Sequence, residues 1–589
     1  MATYNLPNSN GQIRQSNKGD VYGELWGTFN VDLTSSPGKI KTSRQLYTSL
    51  SEAKMDNDDL LASVVFNGYI YNLLKADRYQ YLEAYRNPRI SGSWVSASST
   101  ALTTTNYTDA VVFDNNLLVS GSTNIAMNDN PSSPSWDEDW WTTIVSGTAL
   151  TASVPHVMDV SNIGAETLFV TDANLVRYYN PTAGHSTVTL ASNLIACALA
   201  TDYKATFVGT YSNSGNARVY EIYVGEQVDS VPVARNSYPV DGTAVLSMDV
   251  VDGVVYIVTD RGHIQAFNGV AFVTVGSFPF AFDSVAIDGM SVGDIAASNI
   301  DRGIHPKGMR AYGKSLYLNV NTNNQLIDDL ASNPIDNDDI FNNVVVNERS
   351  ASGVWEFDTE TQVLNHRYAL KYSADQVGFH RLQNSAPILI LDNQYTRILT
   401  AGRLDSARTD VFVENPDQVP TGYFITSEID SNTVQEAWER FNLKVEQLGD
   451  GDSIEIKYRT SKNHEYPAYA SGTFLSANTF NTTDDLSMVA EGDEIELIDG
   501  DNAGLMAHVT AIDESESVYS ITLDRDISTA GVTCYARFQN WKLATHTEEG
   551  QIVFTGLGET STYVQFKVVM TGNVEVRGFM NKGNSKNEV

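Results

Sequence analysis

Residues 255–268 have the sequence Val-Tyr-Ile-Val-Thr-Asp-Arg-Gly-His-Ile-Gln-Ala-Phe-Asn, and this stretch predicts a β-hairpin. Residues 254–258 are β-branched or aromatic, which favours a strand. Asp260, Arg261 and Gly262 supply a turn, because glycine adopts a positive φ without steric cost. Residues 264–267 then predict the returning strand.

The same template occurs upstream of this hairpin. Residues 167–180, Thr-Leu-Phe-Val-Thr-Asp-Ala-Asn-Leu-Val-Arg-Tyr-Tyr-Asn, share its Thr-Asp pair and its closing Asn. A looser copy lies at 206–222. A repeated hairpin of this kind predicts a repeating four-stranded unit, and therefore a β-propeller.

Candidate hairpins continue along the chain, spaced roughly 40–70 residues apart where a four-stranded blade needs about 40–50. They centre on residues 64–71, 111–119, 167–179, 207–222, 254–267, 316–320 with 354–357, and 388–399. Seven blades over residues 57–405 is the preferred interpretation, with six or eight left open. A polar insertion at 321–351 is tolerated because loop-closure entropy grows slowly with length, and such a loop is a candidate partner contact.

The remaining segments predict three further units. Residues 1–56 predict an arm followed by a hairpin that closes the ring from the N-terminal side or docks on a neighbour. Residues 406–474 and 534–589 alternate apolar and polar residues, which predicts an antiparallel β-sandwich. Residues 475–533 contain three short alternating strands, and we expect a small SH3-like barrel inserted into the sandwich. The fold class is therefore all-β.

Charge restricts the partners that this chain can have. The 589 residues include 38 Lys plus Arg against 72 Asp plus Glu, a net charge of −34. A surface of this sign repels phosphate, so sequence-specific nucleic-acid binding and binding to anionic membranes are disfavoured. The alternative is that the acidic surface does not select partners and serves only to keep the protein in solution.

Cysteine usage and the N-terminus bear on the compartment. Cys197 and Cys534 are far apart in apolar surroundings, so neither a disulfide framework nor a zinc site is expected. The first residues have no signal-peptide pattern, and no apolar run approaches the length that spans a membrane. We expect synthesis in a reducing cytoplasm and no membrane insertion.

Three sets of residues are candidates for chemical sites. Residues 136–141, Trp-Asp-Glu-Asp-Trp-Trp, place carboxylates beside aromatic rings, as a sugar-cleaving cleft would, although an exposed or subunit-facing loop is the preferred interpretation. The acidic runs 56–59, 336–339 and 499–502 offer oxygen ligands for calcium but lack the twelve-residue EF-hand spacing. The nine histidines are scattered: His156, His185, His263, His305, His366, His380, His464, His508 and His546.

No catalytic, cofactor-binding or metal-binding residue is assigned from these patterns. No stretch matches a nucleophile elbow, a dinucleotide fingerprint or a P-loop. The sequence therefore predicts a protein that is not an enzyme and needs no cofactor.

The plan of the chain resembles structural proteins of tailed bacteriophages, similar to the propeller-bearing nozzle or tail-tube proteins of short-tailed phages. The residues that carry this resemblance are the early segment 11–15 (Gly-Gln-Ile-Arg-Gln), the strand pair around 29–32 (Phe-Asn-Val-Asp), and 423–430 (Tyr-Phe-Ile-Thr-Ser-Glu-Ile-Asp) leading through Trp438 to 457–460 (Lys-Tyr-Arg-Thr). It covers most of the chain and is architectural.

The resemblance implies a ring-forming subunit of the virion tail, a nozzle, hub or connector protein. Its expected partners are other copies of itself, in sixfold or multiple symmetry, and neighbouring virion tail or connector proteins. It implies that the ring lines or gates the DNA exit path, where a negative lumen would let DNA slide without sticking. The alternative is a carbohydrate-binding or carbohydrate-cleaving propeller that recognises the host surface, with residues 136–141 as its cleft.

Overall fold

The computed structural model describes most of the chain and shows almost entirely β structure. The described residues are 25–35, 39–48, 59–75, 80–86, 95–96, 108–129, 136–152, 154–212, 214–225, 231–279, 303–320, 353–368, 370–371, 386–391, 398–405, 408–415, 420–426, 429–430, 436–446, 448–460, 468–497, 502, 505–515, 517–547, 552–555, 559–561 and 563–585. Within them the regular structure is β apart from one five-residue helix, α1 (Trp140–Ile144).

The N-terminal strands are β1 (Leu25–Phe29), β2 (Val31–Asp32), β3 (Ile40–Thr42) and β4 (Gln45–Thr48). They belong to three different sheets. The antiparallel pairing of β2 with β3 forms the predicted N-terminal hairpin, whereas β1 and β4 pair with strands from the second half of the chain.

Six antiparallel sheets follow in chain order, each built from consecutive strands. Sheet 1 contains β5 (Asp59–Phe66), β6 (Tyr69–Lys75), β7 (Gln80–Arg86) and β8 (Val95–Ser96); sheet 2 contains β9 (Asp109–Phe113), β10 (Asn116–Ser120) and β11 (Ile125–Asn128); sheet 3 contains β12 (Met158–Ser161), β13 (Thr167–Asp172), β14 (Leu175–Asn180) and β15 (Gly184–Thr189). Sheet 4 contains β16 (Leu194–Thr201), β17 (Ala205–Ser212), β18 (Arg218–Tyr223) and β19 (Val233–Pro239); sheet 5 contains β20 (Val245–Val251), β21 (Val254–Thr259), β22 (His263–Phe267) and β23 (Phe272–Ser277); sheet 6 contains β24 (Met309–Tyr312), β25 (Ser315–Val320), β26 (Gly353–Asp358) and β27 (Val363–Tyr368).

Sheet 7 joins the two ends of this region. Its strands are β28 (Leu370–Lys371), β29 (Leu389–Ile390), β30 (Ile398–Asp405) and β31 (Arg408–Asn415), together with β4. β4 pairs antiparallel with β31 and parallel with β28, so an N-terminal strand lies inside a sheet of C-terminal ones. This sheet extends to Asn415, beyond the predicted boundary at residue 405.

The sheets form a closed circuit through their first strands. β5 contacts β9, and the contacts continue through β12, β16, β20 and β24. Sheet 7 then completes the circuit, because β29 contacts β24 and β30 contacts β5. Consecutive antiparallel sheets that contact one another around a closed circuit in this way are the arrangement of a β-propeller.

The hairpin at residues 255–268 is present as β21 and β22. The hydrogen bonds made by the aspartate at its turn explain why the Thr-Asp pair is repeated. Gly262 has a φ of 76°, a conformation that a Cβ atom disfavours. The buried carboxylate of Asp260 accepts hydrogen bonds from the Thr243 N–H and hydroxyl at 2.9 and 2.6 Å, and from the Ala244 N–H at 3.2 Å. Asp172 in the upstream copy accepts the Thr151 N–H at 2.8 Å. The shared aspartate thus fastens the chain that enters each sheet.

Replacing this aspartate should destabilise the ring. Asp260→Ala leaves the Thr243 and Ala244 donors without their acceptor, and we expect a loss of about 1–3 kcal/mol in the free energy of unfolding. Urea denaturation followed by intrinsic fluorescence measures the loss. Asp129→Ala, at an exposed carboxylate, is the control and should change stability by less than about 0.5 kcal/mol. Equal effects of the two substitutions would contradict this role of Asp260.

The C-terminal region forms two six-stranded sheets that pack face to face. Its strands are β32 (Thr421–Thr426), β33 (Ile429–Asp430), β34 (Glu436–Val445), β35 (Ser453–Thr460), β42 (Lys542–Thr547), β43 (Ile552–Thr555), β44 (Glu559–Ser561), β45 (Tyr563–Thr571) and β46 (Glu575–Ser585). Sheet A has the order β1-β32-β45-β35-β42 with β33 on β45, and sheet B has the order β2-β3-β46-β34-β43 with β44 on β34. Their shared core includes Leu25, Val31 and Ile40 from the N-terminal strands.

A closed barrel is inserted between β35 and β42. Its strands are β36 (Ala468–Ser476), β37 (Thr479–Thr482), β38 (Glu494–Leu497), β39 (Met506–Ser515), β40 (Val518–Leu523) and β41 (Thr533–Gln539), in the closed order β36-β37-β40-β39-β38-β41. The barrel has its own apolar core around Phe474, Phe480 and Phe538. The predicted range 475–533 lies inside the barrel, which begins at Ala468 and ends at Gln539.

Candidate functional site

A cluster of charged residues lies where the first strands of the propeller-like sheets meet. We call this group the axial cluster; it consists of Asp109, Asp159, Asp249, His305, Lys307 and Arg310. The Lys307 Nζ atom is buried and donates a hydrogen bond to the Met158 carbonyl oxygen at 2.6 Å. It lies 3.9 Å from Asp109 Oδ2 and 4.0 Å from Asp159 Oδ1.

Burial shifts the pKa values of three members of the axial cluster. Burial raises the pKa of Asp109, and the neighbouring Lys307 opposes that rise. Burial likewise raises the pKa of Asp249. Burial, together with Lys307 and Arg310, lowers the pKa of His305 to about 3, so its imidazole is neutral at pH 7. The His305 Nδ1 atom accepts the Lys307 N–H at 3.0 Å.

Two carboxylates of the axial cluster, Asp109 and Asp249, each bind backbone of the neighbouring sheet. Asp109 on sheet 2 accepts N–H groups from Ala110 and from Met158 on sheet 3, each at 2.8 Å. Asp249 on sheet 5 accepts N–H groups from Val250 and from Ala311 on sheet 6, also at 2.8 Å. The same bond therefore recurs between two pairs of adjacent sheets, which indicates that these carboxylates fasten strands.

A second buried cluster joins the barrel to sheet A. Lys457 on β35 and Lys567 on β45 both pair with the Glu494 carboxylate on β38 of the barrel, the Lys567 distance being 2.5 Å. All three side chains are almost fully buried. Beside them, the Arg459 guanidinium lies over the rings of Trp26 and Trp541. We call Glu494, Lys457 and Lys567 the barrel lock.

Burial would raise the pKa of Glu494, but the ammonium groups of Lys457 and Lys567 beside it hold this pKa well below its usual range. The carboxylate is therefore ionised throughout the neutral pH range. Arg525 on the barrel side adds a more exposed ion pair with Glu455 at 2.9 Å. The barrel is held against the sandwich by charge pairing as well as by packing.

A third buried cluster joins the N-terminal segment to sheet 6. The Arg367 guanidinium lies 2.6 Å from Asp32 and 3.3 Å from Glu356. Glu356 also accepts the hydroxyls of Ser315 at 2.8 Å and Thr34 at 3.1 Å. Burial would raise the pKa of Asp32, but Arg367 holds it well below its usual range. We call Asp32, Glu356 and Arg367 the N-terminal clamp.

The tryptophans of the predicted aromatic loop at residues 136–141 pack against neighbouring side chains. Trp141 is 1% exposed and packs with Phe113 and Met158, and half-buried Trp140 stands edge-on to Phe113 and Tyr179. The Asn124 amide donates to the Glu138 carbonyl oxygen at 2.6 Å. Asp137 and Asp139 of this loop are exposed, whereas the Trp141 ring is buried and is not available to stack on a sugar.

The acidic runs that were candidates for binding calcium lie largely outside the described residues. Residues 56–58, 336–339 and 499–501 are not described, whereas Asp59 begins β5 and Asn502 donates weakly to the Ser528 hydroxyl. In the described part of the chain, no group of three or more His, Cys, Asp or Glu side chains is placed to hold a metal ion. Cys197 and Cys534 are both buried free thiols.

The histidines have separate surroundings. His366 is buried and accepts the Asn30 N–H at Nδ1, while His263 lies 3.0 Å from Asp241 near the surface. His156 is buried with both ring nitrogens facing carbonyl oxygens, and His508 lies 3.4 Å from Asp524. His380 and His464 lie outside the described residues.

Sequence reasoning did not single out the axial cluster, although a signal for it was present. Three first strands carry methionine followed by a charged residue at the same place before the turn: Met158-Asp159, Met248-Asp249 and Met309-Arg310. The methionines face the core, and the charged residues of the three strands converge. The barrel lock had no such signal, because its members lie on strands far apart in sequence.

Comparisons with known proteins return remote structural likenesses. No protein-family model and no curated protein sequence matches the chain. A selenomethionine-substituted virginiamycin B lyase from Staphylococcus aureus aligns with 7% identity over 60% of this chain and 94% of its own, at a TM-score of 0.36. The computationally designed Ika8 protein aligns with 9% identity over 63% and 99% of the two chains at 0.32, and BBS1N in complex with ARL6DN with 14% over 42% and 71% at 0.28. Likenesses this weak indicate nothing about activity.

No helix among the described residues is long and apolar enough to cross a membrane.

Proposed function

We propose that this chain is a structural subunit of a tailed-phage virion that assembles with other copies into a ring of the tail. In this proposal sheets 1–7 are the blades of a seven-bladed propeller, and the small barrel is an SH3-like module set on the sandwich. The ring of subunits lines or gates the DNA exit path, and the subunit is not an enzyme. Neighbouring tail or connector proteins are its other partners.

The interlocking of the chain is the observation that carries this proposal. β4 closes sheet 7 of the ring, β1 to β3 complete both sheets of the sandwich, and the barrel lock fixes the barrel to sheet A. The N-terminal clamp then ties β2 to sheet 6. Such cross-connection is expected of a rigid subunit that transmits force within an assembly. Neither the barrel nor the N-terminal strands can move away from their neighbours without breaking buried ion pairs.

Charge also supports a role beside DNA. With a net charge of −34, subunits arranged around an axis would repel phosphate, so that DNA passes without being held. The groups of the axial cluster that are most buried bind backbone or one another, which fits a fastening role better than acid–base chemistry.

Native mass spectrometry of the purified chain over a range of concentrations, with negative-stain imaging, tests the proposal. We expect closed rings of six copies or a multiple of six, and no retention of duplex DNA in a gel-shift assay at physiological salt. A chain that stays monomeric at all concentrations would contradict the ring, and DNA binding with a steep salt dependence would contradict the sliding path. Cleavage of a polysaccharide by the purified chain would instead favour the carbohydrate-directed alternative.

A further inference from the structure

The six residues that precede β24 are all buried. They are Gly303, Ile304, His305, Pro306, Lys307 and Gly308, and they lead directly into the first strand of sheet 6. A Cβ atom at Gly308 would lie 2.9 Å from the His305 carbonyl oxygen, so the backbone is folded tightly on itself here. The Gly308 N–H donates to that same oxygen at 2.7 Å. We call residues 303–308 the axial strap.

The backbone of the axial strap is bonded to three neighbouring sheets. The Ser247 hydroxyl of sheet 5 donates to the Pro306 carbonyl oxygen at 2.8 Å. The Ile388 N–H, next to β29 of sheet 7, donates to the Lys307 oxygen at 3.0 Å, and the Asn319 N–H of sheet 6 donates to the Gly308 oxygen at 2.8 Å. Three successive carbonyl oxygens of the strap thus accept hydrogen bonds from three different sheets.

The Lys307 side chain reaches the sheets on the other side of the ring. Its ammonium group donates to the Met158 carbonyl oxygen on sheet 3 and faces Asp109 on sheet 2 and Asp159 on sheet 3. Sheets 2 and 3 are each three positions away from sheet 6 in the circuit, which is the largest separation that seven sheets allow. A segment of six residues can touch sheets 2, 3, 5, 6 and 7 only where their first strands converge, which is the axis of the ring.

We infer that the axial strap closes the ring at its axis and couples sheet 6 to sheets 2 and 3, so that the ring opens only when Lys307 is released. This goes beyond the proposed function, because it concerns the opening of one chain rather than its assembly. An ammonium group bonded across the axis makes sheets that are distant in sequence open together. The strap also occupies the axis of the ring of sheets, at the end where the first strands begin. Any path for DNA therefore runs between subunits and not through this ring of sheets.

Hydrogen exchange of the full chain under native conditions tests the strap. Lys307→Met keeps a side chain of similar length but removes the ammonium group. We expect the amides of β9 and β12 to exchange at least about tenfold faster in this variant, because their partner across the axis is lost. Lys314→Met, at an exposed lysine of the same sheet that pairs with Glu360, is the matched control and should leave β9 and β12 unchanged. Faster exchange confined to residues 303–312 would overturn the inference.

The wild-type chain provides a second measurement, which stands even if the Lys307 variant fails to fold. Exchange followed at increasing urea concentrations gives an opening free energy and its denaturant dependence for each strand. The strap, β9 and β12 should share one opening free energy and one denaturant dependence. Distinct values for the strap and for β9 and β12 would mean that the two sides of the ring open independently, and the inference would be wrong.

Discussion

Glu494→Gln is expected to destabilise the chain by about 3–5 kcal/mol, since it removes the carboxylate that Lys457 and Lys567 share in the barrel lock. Breaking a buried ion pair from one side leaves uncompensated charge in a medium that solvates it poorly. Here two ammonium groups, each on a side chain 2% exposed, would lose their shared partner, although Lys457 keeps the Glu455 carboxylate 3.6 Å away. Glutamine keeps the shape of the side chain, so the loss reports charge rather than packing.

Urea denaturation of the full chain gives the free energy of unfolding, and limited proteolysis reports whether the barrel loosens first. Glu491→Gln, at an exposed position on the same approach to β38, is the control and should be nearly neutral. If the two variants lose the same small amount, the barrel is held by its apolar contacts and the barrel lock contributes little.

The same carboxylate predicts a pH dependence. Because the folded-state pKa of Glu494 lies below its ordinary value of 4.5, the unfolded chain takes up a proton there that the folded chain does not. Its contribution to stability is complete above roughly pH 5 and is lost as the pH falls toward the folded-state pKa. The wild-type chain should therefore lose stability more steeply than Glu494→Gln between about pH 5 and pH 3. Parallel slopes in the two proteins would show that Glu494 is not the titrating group.

The ring could be predicted from local pattern, whereas its connections could not. The hairpin at 255–268 and its upstream copy carry a turn, two strands and a shared aspartate within a few residues, so a short stretch contains the whole signal. The N-terminal hairpin was also visible, but not its partners, since the Thr42 hydroxyl donates to the carbonyl oxygen of Gly572. Nothing in local periodicity identifies a partner at that separation.

The barrel lock escaped prediction for a different reason. In β35 the apolar residues Ile454, Ile456 and Tyr458 alternate with charged ones, and that pattern predicts one face in the core and one in solvent. The structure covers the charged face with the barrel, so Lys457 is buried. Alternation reports which residues are polar, but the burial of a polar face depends on what packs over it.

Arg367→Ala is expected to cost about 3–5 kcal/mol in the free energy of unfolding, because it leaves Asp32 and Glu356 of the N-terminal clamp buried without their cation. Asp32 and Glu356 are 7% and 3% exposed, so water cannot readily replace the guanidinium. The loss should be largest near neutral pH and shrink in acid, since the pKa of Asp32 is no longer held down and its protonation removes one buried charge.

Hydrogen exchange should place the damage from Arg367→Ala in two distant parts of the sequence. Asn30 donates to His366 at 2.9 Å and the Asn365 amide donates to the Val31 carbonyl oxygen at 2.7 Å, so β2 and β27 should lose protection together. Arg261→Ala is the control, because that guanidinium is more than half exposed beside Asp241 and should contribute little. Loss of protection in β27 without any change in β2 would show that Arg367 stabilises only its own sheet. Joint loss would mean that the N-terminal strand is what ties the ring to the sandwich, as a rigid subunit of a larger ring requires.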